Sequence, residues 1–326
     1  MKIGDTEIHA VASESMGVRS LCTQVTTPDI TILFDPSAGL AMRFGLEPHP
    51  LEYDALKTAL ADIFELARKS DVLSISHYHY DHVRPTFTNY RYNFSSLEDT
   101  NHMFENKRVL LKDHRDNINP SQRKRAYYFR KHVGDAAEEL VWTDGREFEF
   151  GDTTVSYSES LPHGPDAKPL GYVVVTCVKH KDATVVFAPD IQGPSNRKTL
   201  SYLLSLNSDV MIVGGPPIYL PRHLFDEQNR QTALFCLVTL ANAVETLVVD
   251  HHLMRSLSWK EWLKPSMNAA EESGNCVLCM AELEREDISC LEADRQRLYE
   301  ERPPSQDFIN WTNATDEYKR LNEPPL

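Results

Sequence analysis

The stretch Ser76-His77-Tyr78-His79-Tyr80-Asp81-His82 places four potential metal ligands within six residues. It continues an apolar run over 72–76 that is typical of a buried strand. Side chains two residues apart in extended backbone project to the same side, so His77 and His79 can bind one ion together. If the chain then turns, Asp81 and His82 can reach a second, neighbouring ion. The sequence therefore predicts a metal centre at the end of this strand.

The segments on both sides of this motif alternate between strand and helix patterns. Runs over 20–27 and 30–34 predict a hairpin, and the apolar spacing over 51–67 predicts a helix with one buried face. Later extended runs lie at 153–158, 170–178 and 184–188, followed by a helix at 197–206, a strand at 210–213, a helix at 227–243 and a strand at 246–249. This order favours two packed sheets with helices outside over a doubly wound sheet.

Two segments fit this alternation poorly, although the whole chain, 1–326, is interpreted as a single domain. Residues 83–135 are polar, aromatic and basic with weak periodicity, so they are interpreted as an insertion or cap. Residues 253–326 are interpreted as a helical extension at the C-terminus, including a helix over 270–300.

Composition narrows the class of protein further. With 41% hydrophobic and 25% charged residues, the chain has the composition of a packed globular protein. The net charge of −14 argues against a surface that attracts nucleic acid everywhere. No apolar run is long enough for a membrane span, and six cysteines in 326 residues do not resemble a disulfide framework. We therefore expect a cytoplasmic protein without a membrane partner.

The segment 77–82 resembles the HxHxDH motif of the metallo-β-lactamase superfamily, in a branch with a long insertion after the motif. Further positions of that family's pattern are matched in order by Asp35, His163, Asp190 and His251, so the resemblance covers roughly residues 10–252. It implies an α/β fold, the αββα four-layer metallo-β-lactamase sandwich, in which two mixed β-sheets carry helices on their outer faces.

The same resemblance implies a set of metal ligands, with Asp190 bridging two ions and Asp81 also orienting the attacking water. The implied ligands are His77, His79, Asp81, His82, His163, Asp190 and His251. Three alternatives stay open. His252 replaces His251 if the last strand runs one residue longer, Asp190 instead caps the helix near Ser195, and Asp35 orients a ligand rather than binding metal.

These ligands imply a metal-dependent hydrolase that uses a metal-activated water on a phosphodiester or on a small ester, lactone or thioester. Two divalent ions are expected, with zinc as the first choice and manganese or iron also compatible with imidazole and carboxylate ligands. One alternative is a mononuclear-iron oxidoreductase on the same fold. Another is a non-catalytic binding module braced by metal.

Two polar segments are candidates for substrate binding. Ser195, Arg197 and Lys198 stand at a predicted helix start, where free amides favour an anion, although an ordinary capped helix explains them equally well. Arg123 and Arg125 belong to a basic, aromatic stretch over 121–132 that could follow a nucleic-acid backbone. The alternative there is a solvated helix with Tyr128 and Phe129 turned inward.

Overall fold

Seven strands form the first sheet in a computed structural model that describes residues 1–165 and 170–326. They are β1 (Lys2–Ile3), β2 (Thr6–Ser13), β3 (Leu21–Thr26), β4 (Thr31–Phe34), β5 (Val72–Ile75), β6 (Arg108–Leu111) and β7 (Glu139–Trp142). The strands pair in sequence order. The first three pairs are antiparallel and the last three are parallel.

Three helices belong to this half: α1 (Pro50–Lys69), α2 (Leu97–Phe104) and α3 (Pro120–Val133). The start of α1 is fixed by a capping box, in which the His49 ring accepts from the backbone and Glu52 accepts from the amide of His49. Its buried face includes Leu56, Leu60 and Ile63, so the predicted helix over 51–67 is confirmed.

The described residues of the second half, 143–165 and 170–326, contain nine strands. They are β8 (Glu147–Phe150), β9 (Thr153–Tyr157), β10 (Leu161–Pro162), β11 (Tyr172–Val173), β12 (Thr176–His180), β13 (Ala183–Ala188), β14 (Val210–Gly214), β15 (Thr246–Asp250) and β16 (Cys276–Leu278). β10 and β11 pair with each other, and the others form a sheet in the order β16-β15-β14-β13-β12-β9-β8. Its strands are parallel from β13 to β16 and antiparallel elsewhere.

Alternating side chains on the strands build three apolar layers. On β4, Phe34 points between the sheets and stacks on Phe187 of β13 with ring centroids 5.1 Å apart, while Leu33 points toward α1. On the far side, α4 (Arg197–Ser205), α5 (Glu227–Ala243) and α6 (Trp259–Glu272) pack on the second sheet. Helix, sheet, sheet and helix thus follow one another, and the predicted four-layer αββα sandwich is confirmed.

Residues 83–135 contribute to the first sheet as well as covering it. Their strand β6 pairs in parallel with β5 and β7, and α2 packs on α3 through Phe104 and Phe129, whose ring centroids are 5.0 Å apart. This segment therefore contains a core strand within the stretch interpreted as an insertion. Its role as a cap stays a prediction.

The predicted helix over 270–300 is wrong. The chain leaves α6 through Gly274, whose φ of +76° is the left-handed conformation typical of helix ends, and then adds β16 to β15 in parallel. Three residues of strand cover the open edge of the second sheet, which satisfies backbone groups that a helix would leave unpaired.

Short helices complete the chain: α7 (Met280–Glu284), α8 (Leu291–Glu301), α9 (Gln306–Thr312) and α10 (Asp316–Leu321). Phe308 and Trp311 of α9 pack edge-on against Tyr53 of α1, which joins the C-terminus to the first helical layer. Across residues 1–165 and 170–326, we find no helix with an apolar run of membrane-spanning length.

Candidate metal centre

Four of the predicted site residues lie where strands with a parallel neighbour end, the edge at which α/β proteins place their ligands. Asp35 directly follows β4, His77 follows β5, Asp190 follows β13 and His251 directly follows β15. Three of these residues, Asp35, Asp190 and His251, have left-handed backbone, with φ of 47°, 49° and 62°. Such values are uncommon outside glycine and concentrate at functional sites.

The carboxylate of Asp190 lies at the middle of the cluster. Its Oδ2 is 2.7 Å from His163 Nε2, 3.2 Å from His77 Nε2 and 3.7 Å from His79 Nδ1. The Nε2 of His77 and the Nδ1 of His79 are themselves only 3.0 Å apart. These four residues form a group whose ligand atoms could hold one metal ion.

The other oxygen of Asp190 faces a second group of imidazoles. Its Oδ1 is 2.9 Å from His251 Nε2, 3.4 Å from His82 Nε2 and 3.5 Å from His252 Nε2. Asp81 completes this side, with Oδ2 3.9 Å from His251 Nε2. The structure thus brings both His251 and His252 to the cluster, and His251 lies nearer to Asp190.

Hydrogen bonds behind the cluster fix which nitrogen of each ring carries a proton. Asp35 Oδ2 accepts from His82 Nδ1 at 2.8 Å and from the Ser76 hydroxyl at 2.6 Å. Because Ser76 donates its only proton to Asp35, its oxygen accepts from His77 Nδ1 at 2.9 Å. Both rings therefore turn their Nε2 atoms toward Asp190. Asp35 lies behind the His82 ring and not among the atoms around Asp190.

Glu14 and Arg255 form a second support that the sequence patterns did not reveal. Glu14 Oε2 accepts from His251 Nδ1 at 2.8 Å, and Glu14 Oε1 accepts from Arg255 Nε at 2.6 Å. All three side chains are buried. The charge of Arg255 balances Glu14, while Glu14 sets the tautomer and orientation of His251.

Burial and charge divide the ionisable groups of the cluster into two kinds. Burial lowers the pKa of His77 well below its usual value and also lowers the pKa of His79, so both rings are neutral donors of lone pairs. Burial opposes charge on Asp190, but His82 and His251 hold its pKa well below the ordinary value. Against burial, Glu14 and Asp190 raise the pKa of His251 to about 9. A bound cation would take the place of such protons.

A cavity of about 480 Å³ opens above the cluster. His79, Asp81, His163, Asp190 and His252 contribute to its floor, so the cluster is accessible from this side. Its walls include the arginines Arg19, Arg125 and Arg255 and the aromatic rings of Tyr80, Phe87, Tyr92 and Tyr219.

Of the predicted substrate residues, Arg125 lines this cavity, whereas Ser195, Arg197, Lys198 and Arg123 are not among its lining residues. The cap of α4 is Asn196, whose side chain accepts from the amide of Thr199 at 2.8 Å. The alternative interpretation of Asp190 as this cap is therefore wrong, because Asn196 already satisfies the amide.

The basic stretch over 121–132 forms most of α3. Phe129 is buried as predicted, but Tyr128 is 41% exposed, so the inward orientation predicted for Tyr128 is wrong. Arg123 is exposed and donates to the carbonyl of Arg115 at 3.1 Å. A role of this helix in binding nucleic acid stays a prediction.

Known proteins resemble this chain in sequence and in fold. No family model matches it. A UPF0282 protein from Pyrobaculum aerophilum is 40% identical over 298 residues, which cover 91% of this chain and 96% of the relative. A UPF0282 protein from Methanopyrus kandleri is 37% identical over 286 residues, which cover 87% and 96% of the two chains.

Two solved structures share the fold at low sequence identity. The metallo-beta-lactamase fold protein YhfI from Bacillus subtilis has a TM-score of 0.53 at 12% identity, covering 84% of this chain and 95% of its own. CmlA from Streptomyces venezuelae, described as a diiron beta-hydroxylase, has a TM-score of 0.51 at 14% identity, covering 85% of this chain and 53% of its own. The chain therefore belongs to the UPF0282 family and has the fold of the metallo-β-lactamase superfamily.

Proposed function

We propose that this protein is a metal-dependent hydrolase with two divalent ions in one centre. His77, His79 and His163 would hold the first ion, and Asp81, His82 and His251 the second. The observation that carries the proposal is the placement of Asp190, each of whose two oxygens faces its own group of three ring nitrogens. A carboxylate in that position can be shared by two ions.

The donor set fits divalent transition ions. Imidazole suits zinc, iron, copper or nickel, and added carboxylates admit manganese, so zinc is our first choice. Asp35 and Glu14 hold the rings of His82 and His251 from behind, as partners of metal-bound histidines do elsewhere. His252 lies close enough to Asp190 to serve as a further ligand on the second side.

Such a pair of ions supplies Lewis acidity and lowers the pKa of water to about 7, which makes a nucleophile available at neutral pH. Asp81 is the residue best placed to orient that water, because it lines the cavity and is 20% exposed. Burial opposes its charge, yet His82 and His251 keep its pKa well below the ordinary value, so it accepts hydrogen bonds as a carboxylate. We propose a phosphodiester or a small ester, lactone or thioester as substrate.

The test combines metal analysis of the purified protein with a panel of bis(4-nitrophenyl) phosphate, lactones and thioesters. We expect about two zinc ions per chain and turnover of one substrate class. His77→Ala and His79→Ala should lower bound metal and activity sharply while circular dichroism shows a folded core. His102→Ala is the matched control, because the His102 side chain is 77% exposed and lies outside the cluster.

The outcomes separate the alternatives. One iron per chain with no hydrolysis would favour oxidative chemistry, and stoichiometric zinc without turnover of any substrate would favour a binding module. Unchanged metal content in both histidine variants would overturn the proposed centre itself.

A further inference from the structure

The three arginines in the cavity wall differ in their partners. Arg19 binds Glu292 through two hydrogen bonds of 2.6 and 2.8 Å, and Arg255 binds Glu14 at 2.6 Å. Both cations are thus neutralised by a neighbouring carboxylate. Arg125 lines the same cavity but has no carboxylate within ion-pair distance among residues 1–165 and 170–326.

Two contacts hold the Arg125 guanidinium beside the metal cluster. Its Nη1 donates to the carbonyl of Tyr78 at 3.1 Å, and its central carbon lies 4.4 Å above the ring centroid of Tyr80. Tyr78 and Tyr80 flank His79, so the cation is fastened to the metal-binding loop itself. The remaining N–H donors of the planar group suit a carboxylate or phosphate, which guanidinium binds bidentately.

The size and the lining of the cavity limit what the rest of a substrate bound to Arg125 can be. A cavity of about 480 Å³ fits a small molecule rather than a polymer. Beside Arg125 its wall is apolar and aromatic, where Tyr80 packs edge-on against Phe87 with centroids 5.4 Å apart. A substrate with a compact apolar or aromatic body would cover these rings.

The geometry points to a substrate class: a small molecule with an apolar body and a carboxylate or phosphate, separate from the bond hydrolysed, that binds Arg125. This inference rests on the proposed hydrolase function and adds the feature by which the substrate is selected. Arg125 is then a specificity-determining residue, because a neutral substrate of the same shape leaves its charge without a partner.

Matched esters test this selection in the metal-loaded protein. Mono(4-nitrophenyl) glutarate carries a free carboxylate, and 4-nitrophenyl pentanoate has the same chain without it. In Arg125→Met we expect kcat/KM for the glutarate ester to fall about 10-fold or more, mainly through KM, as for a lost charged hydrogen bond. The rate for the pentanoate ester should fall much less than that for the glutarate ester, and Arg125→Lys should restore part of the loss.

Lys124→Met is the control, because Lys124 precedes Arg125 on α3, is exposed and does not line the cavity. Lys124→Met should leave the ratio of kcat/KM for the glutarate ester to kcat/KM for the pentanoate ester unchanged. If Arg125→Met slows both esters equally at unchanged metal content, the inference is overturned.

A calorimetric titration keeps the inference separate from the hydrolase proposal. Glutarate and propylphosphonate are titrated into metal-loaded wild type and Arg125→Met. Weaker binding to the variant supports the anion site even if no ester is hydrolysed, and the anion with the larger loss identifies the preferred group. If each anion binds wild type and Arg125→Met with the same affinity, the inference is overturned, whatever the hydrolase panel shows.

Discussion

Glu14 supports the candidate centre by accepting from His251 Nδ1, and therefore offers a test at the residue scale. Glu14→Gln removes the charge that accepts from His251 Nδ1, so the ring is less firmly held and less basic at Nε2. We expect affinity at the second metal position to fall about 10–100-fold, the usual effect of losing such a partner. Competitive titration with a chelator should show stoichiometry falling from two ions toward one.

The exposed Glu7 on β2 provides the control, because Glu7→Gln removes an equal charge far from the ring. Two tightly bound ions in Glu14→Gln would contradict the supporting role. The role of Glu14 as the partner of His251 could not be predicted from sequence. The proposed ligands follow strand ends in a recognisable order, whereas Glu14 and Arg255 are 241 positions apart and carry no local pattern.

At the scale of elements, Asn196 connects α4 to the loop that carries His163. Its Oδ1 caps the helix at Thr199, and its Nδ2 donates to the carbonyl of Gly164 at 3.3 Å. Asn196→Ala should lower the free energy of unfolding by about 1 kcal/mol, as is usual for a lost cap. Urea unfolding measures this, with Ser201→Ala as control. Within the described part of the chain, the Ser201 hydroxyl bonds only its own helix, at the Arg197 carbonyl.

An equal loss of the free energy of unfolding in Asn196→Ala and Ser201→Ala would contradict a capping role of Asn196. The helix α1, whose apolar side chains recur at helical spacing, could be predicted from sequence to within two residues at each end. β6 and β16 could not, because an apolar run of three or four residues fits a strand and a helical turn equally well. Only pairing with β5 or β15 decides between them, and the partner strands are distant in sequence.

For the whole molecule, Glu292 joins the C-terminal helices to the first sheet. Burial opposes its charge, but Arg19 lowers its pKa from 4.5 to about 2. Since the folded pKa lies below the unfolded one, the stabilisation is complete above about pH 4.5 and is lost as pH falls toward 2. A shift of this size corresponds to roughly 3 kcal/mol.

Glu292→Gln should therefore be less stable than wild type at pH 6, with a difference that shrinks steadily below pH 4.5. Denaturant unfolding at a series of pH values measures this, and Glu300→Gln on the exposed side of α8 is the control. If the difference in stability between wild type and Glu292→Gln did not depend on pH, the ion pair between Arg19 and Glu292 would not be its source.

The layered architecture was predictable because the apolar pattern and the order of metal-binding residues both pointed to the same fold. The arrangement of the C-terminal helices was less predictable from the sequence. There, helices are joined to the sheets by ion pairs such as Arg19–Glu292 and by the contact of Phe308 with Tyr53. Such contacts depend on residues that come together only after folding.

The left-handed backbone at Asp35, Asp190 and His251 costs the protein stability at three positions that orient side chains of the proposed centre. Each such residue costs on the order of 1 kcal/mol or more, and least where a short polar side chain tolerates the conformation. Glycine at these positions would relieve that cost but would also remove the side chain that the backbone orients. Selection for a more robust scaffold and selection for a working centre therefore oppose each other at these three positions, and most directly at His251.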